Sequence, residues 1–163
     1  VIKKILKDTE NLTIFNDENE LKLLWECCQI PDFAKKSYGN HLEVVGKVFN
    51  FLREKMTLCI NYGVEKDKII IDPGFGFGKT LDHNYTLLKN LDKFSALSNN
   101  ILIGISRKSM IGNLLDKSVD DRLEGTLAAT TISLLNKASI IRTHDVLETK
   151  IVSNAIKRII DAA

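Results

Sequence analysis

The stretch KIIIDPGFGFGKT, residues 68–80, decides how the rest of the chain is arranged. Its three isoleucines, residues 69–71, are β-branched and predict a short strand that is buried on both faces. Pro73 and Gly74 end this strand, so Asp72 stands at its carboxyl end. Parallel sheets and barrels bind ligands at that end of their strands, and the stretch therefore predicts a carboxylate in a ligand site.

The loop after this strand has a glycine at every second position: Gly74, Gly76 and Gly78. Glycine adopts positive φ angles and lets the backbone approach a ligand closely. The loop lacks a Walker A glycine, where Pro73 stands, and a glycine of the dinucleotide fingerprint, where Lys79 stands. Read alone, it is either a ligand loop of another kind or a tight connection between strand and helix without a ligand.

The composition is that of one globular domain. The 163 residues are 44% hydrophobic, which is enough for a packed core. Lys and Arg (23) exceed Asp and Glu (21) by two, which gives no reason to expect nucleic acid or an acidic membrane as a partner. The three cysteines lack metal-binding spacing, and we find no membrane-length apolar run and no secretory signal, so we expect a cytoplasmic protein. Because Val1 is not methionine, we expect the natural polypeptide to begin earlier.

Predicted strands and helices alternate along the chain. The strands cover residues 12–15, 69–71, 101–105 and 139–141, and the main helices cover residues 18–28, 41–62, 82–91, 110–115, 120–136 and 146–160. In helix 120–136 we expect the leucines to face the core and the small residues Gly125, Ala128 and Ala129 to permit close packing. This alternation predicts parallel strands with right-handed crossovers, in a doubly wound sheet or a barrel.

Polar or charged residues follow every predicted strand. They are Asn16 and Asp17, then Asp72, then residues 106–109, then Arg142, His144 and Asp145. Because parallel strands end on the same side, we expect these side chains to converge on one mouth. The acceptors and donors of Asp72 and Asn16 suit the edge of a flat heterocycle. The cationic donors among the others suit a phosphate or diphosphate, and these are Arg107, Lys108, Arg142 and His144.

Each of these residues also has a structural interpretation. Asp72 is in that case a helix cap or a partner for a lysine. Arg107 and Lys108 would belong to a solvated loop, and His144 with Asp145 would begin a helix. The sequence alone leaves these alternatives open.

Two other pairs are interpreted mainly as structural. His41 and His83 lie beside predicted helix starts. Phe75 and Phe77 are interpreted as anchors of the glycine loop, with a pocket wall as the alternative for Phe77.

Five sequence blocks resemble the dihydropteroate synthases, a folate-pathway family with a TIM-barrel fold. The blocks are DPGFGFGKT (72–80), HNYTLL (83–88), GISRKSMIG (104–112), RLEGTLAA (122–129) and RTHDV (142–146). Before residue 68 the match is weaker, although Asn16-Asp17 resembles the Asn-Asp after the family's fourth strand. The resemblance implies an α/β fold, a (β/α)8 TIM barrel that is incomplete here, with strands matching the fourth, sixth, seventh and eighth. Residues 1–163 would form the C-terminal part of one pterin-binding barrel domain.

The resemblance also implies an activity. The family condenses 6-hydroxymethyl-7,8-dihydropterin diphosphate with p-aminobenzoate, which gives 7,8-dihydropteroate and pyrophosphate with Mg2+ present. It implies Lys108, Arg142 and His144 as the catalytic residues, with Lys108 against the pterin and the other two on the departing diphosphate. A homodimer and sensitivity to sulfonamides are implied as well.

Further residues are implied to bind the substrates. Asp72 and Asn16 would hold the pterin edge, while Ser106, Phe77 and Lys79 would lie near the aminobenzoate. The full set implied to bind substrates is Asn16, Asp72, Phe77, Lys79, Gly104, Ser106, Arg107, Lys108, Arg142 and His144.

The chain departs from the family pattern at its N-terminal side. Matches to the first three strands and to the fifth are missing, and with them the metal-binding asparagine and the mobile substrate loops. We expect that parts of a longer polypeptide are omitted. Two alternatives remain open: a methyltetrahydrofolate-binding corrinoid methyltransferase domain, and a non-catalytic half-barrel remnant.

Overall fold

The structure is a computed structural model, and it describes residues 43–162. Its helices are α1 (Val44–Asn61), α2 (Leu81–Lys89), α3 (Ser109–Leu115), α4 (Leu123–Leu135) and α5 (Val146–Ile160), and its strands are β1 (Leu102–Ile103) and β2 (Ile140–Ile141). Short 3₁₀ helices cover Lys66–Lys68 and Leu91–Ala96. The predictions for Asn16, Asp17 and His41, for strand 12–15 and for helix 18–28 lie outside the described residues.

The strands are parallel, as the alternation predicted. Leu102 pairs with Ile140, and a further parallel bridge joins Ile71 to Ile101. The sheet is held at its core by the buried side chains of Ile71, Ile101 and Ile103. Three strand positions therefore end on the same side, and the residues after them share one mouth.

The strand predicted for residues 69–71 is shorter than expected. Only Ile71 pairs with a neighbour, and residues 66–68 immediately before form a 3₁₀ helix. Ile71 is buried, whereas Ile70 is 54% exposed, so burial on both faces was wrong. Successive side chains of extended backbone point to opposite sides, and no described helix covers the side of Ile70.

Helix α1 confirms the predicted amphipathic helix before this segment. Its buried side is formed by Val44, Val45, Val48, Leu52 and Met56. Gly63 has a φ of 92°, and its N–H donates to the Ile60 carbonyl at 2.9 Å. The glycine thus ends the helix as predicted, because the left-handed conformation suits glycine best.

Helix α4 turns a different face to the core than predicted. Its buried residues are Thr126, Ala129, Thr130 and Ser133, while the leucines are only half-buried or exposed. Small side chains let the helix approach its neighbours closely. At Gly125, an added Cβ would collide with the Ile111 side chain, which confirms the close packing predicted there.

Between residues 43 and 162, no helix is both long enough and apolar enough to cross a membrane.

Candidate active site

The glycine loop, residues 73–79, is shaped by positive φ angles at its glycines and by hydrogen bonds from its backbone to two side chains. Gly74, Gly76 and Gly78 have φ angles of 73°, 81° and 61°, as their spacing predicted. The Asp72 carboxylate accepts a hydrogen bond from the Gly74 N–H at 2.8 Å. The Asn84 carbonyl oxygen accepts one from the Gly76 N–H at 2.7 Å. Asp72 thus shapes the loop and does not cap a helix.

The two phenylalanines of the loop have different environments. Phe75 is fully buried, which confirms it as an anchor. Phe77 is 49% exposed, so it is not a buried anchor, and a pocket wall remains a prediction for its ring. The loop is joined to helix α2 by Thr80, whose hydroxyl accepts from the His83 N–H at 3.2 Å, while His83 Nδ1 accepts from the Thr80 N–H. His83 is therefore structural, as predicted.

The Lys79 side chain bridges two backbone carbonyl groups of the glycine loop. Its ammonium group donates to the Gly74 carbonyl at 2.7 Å and to the Phe77 carbonyl at 3.3 Å. Burial lowers the pKa of Lys79 to about 8, the Asp72 carboxylate opposes this effect, and the Lys108 ammonium adds to it. A lysine with this pKa is still mostly protonated at neutral pH, so Lys79 is a cation there.

Lys108 comes from the loop after β1 and packs against the glycine loop. Its Nζ donates to the Phe75 carbonyl and lies 4.7 Å from the centre of the Phe77 ring. Burial lowers the pKa of Lys108, the Asp72 carboxylate raises it, and the Arg142 guanidinium lowers it further. Lys108 is thus a partly desolvated cation, and the solvated-loop interpretation does not describe it.

Arg107 turns away from the glycine loop. Its φ is 56°, and its guanidinium meets both carboxylate oxygens of Asp145, with Nε at 3.1 Å and Nη2 at 2.5 Å. This bond holds the pKa of the Asp145 carboxyl below its usual range. The Arg107 N–H donates to the Thr126 hydroxyl at 3.1 Å, and the Arg122 guanidinium donates to the Arg107 carbonyl at 2.8 Å. Arg107 therefore ties the loop after β1 to helices α4 and α5.

Ser106 and His144 connect the ends of β1 and β2. The Ser106 hydroxyl lies 2.9 Å from His144 Nδ1. The same hydroxyl accepts a hydrogen bond from the His144 backbone N–H at 3.1 Å. The His144 ring is held by this serine, and His144 is exposed at the mouth. His144 precedes α5, so the helix-start interpretation describes its position but not its side-chain contact.

Arg142 lies over a glycine. A Cβ added to Gly104 would lie 3.0 Å from Cζ and from Nε of Arg142, closer than ordinary van der Waals contact. Gly104 is buried, and the space that a side chain would fill is occupied by the guanidinium. The absence of a side chain at position 104 therefore fixes where this cation lies.

These contacts bring most of the predicted residues to one mouth. Asp72 interacts electrostatically with both Lys79 and Lys108, and Lys108 with Arg142. The mouth thus combines one carboxylate, three cationic side chains and one exposed aromatic ring, which suits a flat ligand that carries an anionic group. Arg107 adjoins this group, but its charge faces Asp145.

The structure also shows residues that the sequence prediction did not include. Asn84, Thr126, Thr143 and Thr149 each hold a loop of the mouth through a side-chain hydrogen bond. Asn84, Thr126 and Thr143 lie within three of the sequence blocks, which was the only signal for them. Their partners lie 8, 19 and 37 residues away along the chain, beyond any local pattern.

For Mg2+, the described residues do not provide a fitting site. No group of three or more His, Cys, Asp or Glu side chains that could hold a metal ion occurs within residues 43–162. The carboxylate nearest the cations, Asp72, is engaged with the loop backbone and two lysines.

Proteins with a parallel α/β fold bind their ligands at the carboxyl ends of the strands, where this chain has its cation-rich mouth. The chain belongs to the pterin binding enzymes, whose family model matches residues 7–144.

Within that family, the chain is similar to dihydropteroate synthases, which confirms the resemblance stated from the sequence. The chain is 46% identical to the dihydropteroate synthase of Haemophilus influenzae over 106 residues, which are 65% of this chain and 38% of that protein. It is 41% identical to that of Clostridium beijerinckii over 123 residues, 75% of this chain and 45% of that protein. The solved dihydropteroate synthase of Coxiella burnetii in complex with pteroic acid superposes with a TM-score of 0.74 and 37% identity, over 77% of this chain and 48% of that one. The chain thus spans less than half the length of these relatives.

Proposed function

We propose that the chain is the C-terminal part of a dihydropteroate synthase, with residues 1–163 belonging to one pterin-binding TIM-barrel domain. The strands at Ile71, β1 and β2 would be the sixth, seventh and eighth of that barrel. The reaction would condense 6-hydroxymethyl-7,8-dihydropterin diphosphate with p-aminobenzoate. The observation that carries this proposal is that Lys108 interacts electrostatically with both Asp72 and Arg142. His144, which follows the neighbouring parallel strand, is tied to Ser106 after β1.

In this reaction the protein would have to stabilise the negative charge of the leaving pyrophosphate. The aromatic amine forms a C–N bond to the pterin methylene carbon, while the C–O bond to the diphosphate breaks and pyrophosphate leaves with the electron pair. The amine then loses a proton to solvent. Lys108 and Arg142 would stabilise the growing negative charge, and His144 would donate a hydrogen bond to it.

Asp72 would hold the pterin. Its carboxylate already bonds the Gly74 N–H through one oxygen, which fixes its orientation and leaves the other oxygen for an N–H donor of the ring. Lys108, stacked over Phe77, would lie against the pterin face. Asn16, the other implied pterin ligand, lies outside the described residues.

The remaining residues are proposed from the resemblance. Phe77 and Lys79 would line the aminobenzoate side with Ser106, and Gly104 and Arg107 would border the anion site. Because the Arg107 guanidinium bonds Asp145, Arg107 would hold the loop after β1 in place and would not bind the substrate directly.

The assembly and surroundings of the protein are also proposals. A homodimer is implied by the resemblance, and an apolar cavity of about 630 Å3 between helices α2, α3 and α4 supports it. Exposed apolar side chains such as Leu114 and Ile132 line this cavity, and none of the proposed substrate-binding residues does. Mg2+ and the cytoplasmic location rest on the sequence prediction.

Direct binding tests the proposal. Calorimetric titration of the full chain with the pterin diphosphate is expected to show saturable binding that is weakened in Lys108→Ala and Arg142→Ala, with little change in melting temperature. Lys150→Ala is the matched control, because Lys150 is exposed on α5. Tighter binding of methyltetrahydrofolate than of the pterin diphosphate would contradict the proposal, and so would binding that survives both substitutions.

A further inference from the structure

Four side chains beside the mouth form a continuous chain of hydrogen bonds. Thr149 and Thr143 hydroxyls lie 3.1 Å apart, the Thr143 and Ser106 hydroxyls lie 3.3 Å apart, and Ser106 lies 2.9 Å from His144 Nδ1. Thr149 is 6% exposed and Ser106 is 8% exposed, so water cannot replace most of these bonds. The proposed function uses His144 on the diphosphate and Ser106 near the aminobenzoate, and it gives Thr143 and Thr149 no role.

Two backbone N–H groups fix the direction of this chain. The His144 N–H donates to the Ser106 hydroxyl at 3.1 Å, and the Asp145 N–H donates to the Thr143 hydroxyl at 3.2 Å. A hydroxyl has one hydrogen and two lone pairs, and a backbone N–H can only donate. If Thr149 donates to Thr143, both lone pairs of Thr143 are used, and its hydrogen goes to Ser106. Ser106 then accepts from the Thr143 hydroxyl and from the His144 N–H, which uses both of its lone pairs. Its hydrogen therefore goes to Nδ1 of His144.

The opposite direction is unfavourable. A hydrogen on His144 Nδ1 would donate to Ser106, which would donate to Thr143, which would donate to Thr149. The hydrogen of Thr149 would then need an acceptor, and the structure of residues 43–162 gives its hydroxyl no partner besides Thr143. A buried donor without an acceptor is costly, whereas the first direction satisfies every hydrogen of the chain.

We propose that Ser106 is a positioning residue that holds His144 in the neutral tautomer with its hydrogen on Nε2. The hydrogen bond at one ring nitrogen decides which nitrogen carries the proton. Nε2, on the far side of the ring from Ser106, then offers a fixed N–H donor to an oxygen of the leaving diphosphate. This second part rests on the proposed function, whereas the tautomer does not.

Nitrogen NMR of the full chain with ¹⁵N-labelled histidine tests the tautomer. The chain has three histidines, and loss of a signal in His144→Gln assigns the ring. At about pH 8, where an ordinary imidazole is neutral, we expect an unprotonated signal for Nδ1 and an N–H signal for Nε2. A hydrogen on Nδ1 in the wild type would overturn the inference.

Two variants separate this role from general stability. In Ser106→Ala both tautomers should be populated, so the two nitrogen signals move toward each other. Thr149→Val is the matched control, because it removes a buried hydroxyl of the same chain but keeps the bond between Ser106 and His144. The direction should persist in this variant, since Ser106 remains the only acceptor that the described residues offer to the Thr143 hydroxyl. Its signals should stay at the wild-type positions even if it melts earlier. Unchanged signals in Ser106→Ala, or equal shifts in both variants, would show that Ser106 does not set the tautomer.

Titration with inorganic pyrophosphate tests the consequence for the anion. Without Ser106, two tautomers and two ring orientations become available, and only one of these four presents Nε2–H correctly. The dissociation constant of Ser106→Ala should therefore rise about fourfold. An unchanged constant would overturn the positioning role. Absence of pyrophosphate binding in the wild type would instead refute the anion subsite of the proposed function, while the NMR result would still decide the tautomer.

Discussion

Gly104→Ala should separate binding from stability, because its methyl group would enter the space of the Arg142 guanidinium. The added Cβ would lie 3.0 Å from both Cζ and Nε and would collide with Nη2. Gly104 is not among the residues with positive φ, so the backbone accepts alanine. The exposed Arg142 side chain is free to swing outward, and the cation then leaves the mouth.

The two effects of this substitution have opposite signs. Loss of a hydrogen bond to a charged group costs about 1.5–3 kcal/mol, which corresponds to about a 10- to 150-fold weaker affinity for pyrophosphate. Replacement of a glycine by alanine at a compatible position stabilises by about 0.4–1 kcal/mol, because the unfolded chain loses freedom. We therefore expect weaker binding in a protein that is as stable as the wild type or more so.

Calorimetry with pyrophosphate and urea unfolding measure the two quantities separately. Arg142→Ala is the reference, since it removes the displaced group itself. In the Arg142→Ala background, Gly104→Ala should have no further effect on binding, because the two act through one guanidinium. The reasoning is refuted if Gly104→Ala binds pyrophosphate within twofold of the wild type, or if its effect adds fully to that of Arg142→Ala.

Three further predictions concern stability. Gly125→Ala should destabilise by about 1–3 kcal/mol through overpacking against helix α3, whereas Gly46→Ala, with nothing within 4 Å, should stabilise by about 0.5–1 kcal/mol; equal urea midpoints would contradict this contrast. The Lys79 amine has a pKa of about 8 when folded and about 10.4 when unfolded, so the unfolded state binds more protons between these values and the contribution of Lys79 to stability rises with pH there. The unfolding free energy of the wild type relative to Lys79→Met should therefore increase from about pH 7.5 to about pH 9.5, and a flat or falling difference would exclude the shifted pKa. The Asp145 carboxyl has a lowered pKa because of Arg107, so its stabilisation is present above about pH 4 and is lost as the pH falls through the folded pKa; Arg107→Gln should be less stable than the wild type at neutral pH, and a difference that persists undiminished in acid denaturation would count against the pair.

The elements were predictable where the sequence has a strong hydrophobic period or a clear stop signal. Helices α1, α2 and α5 follow the predicted ranges within a few residues, and Gly63 ends α1 as expected. The prediction that the strand at residues 69–71 is buried on both faces was wrong. Three adjacent isoleucines do not show whether a second layer of structure covers the side on which Ile70 lies. Burial on both faces is a property of the neighbours of a strand and not of its own residues.

Helix α4 shows why the site was only partly predictable. Its leucines gave the stronger hydrophobic signal, yet Thr126, Thr130 and Ser133 are the buried residues. A threonine can be buried when its hydroxyl has a hydrogen-bond partner. The partner of Thr126 is the N–H of Arg107, 19 residues earlier in the chain. The charged members of the mouth were predictable because they follow strand ends, where the parallel topology alone brings them together. The hydroxyl and amide groups that orient those charges depend on contacts between loops, and such contacts exist only once the strands are in register. The same distinction explains Arg107, which also follows β1 but whose guanidinium bonds Asp145, a contact between two loops that no local pattern in the sequence shows.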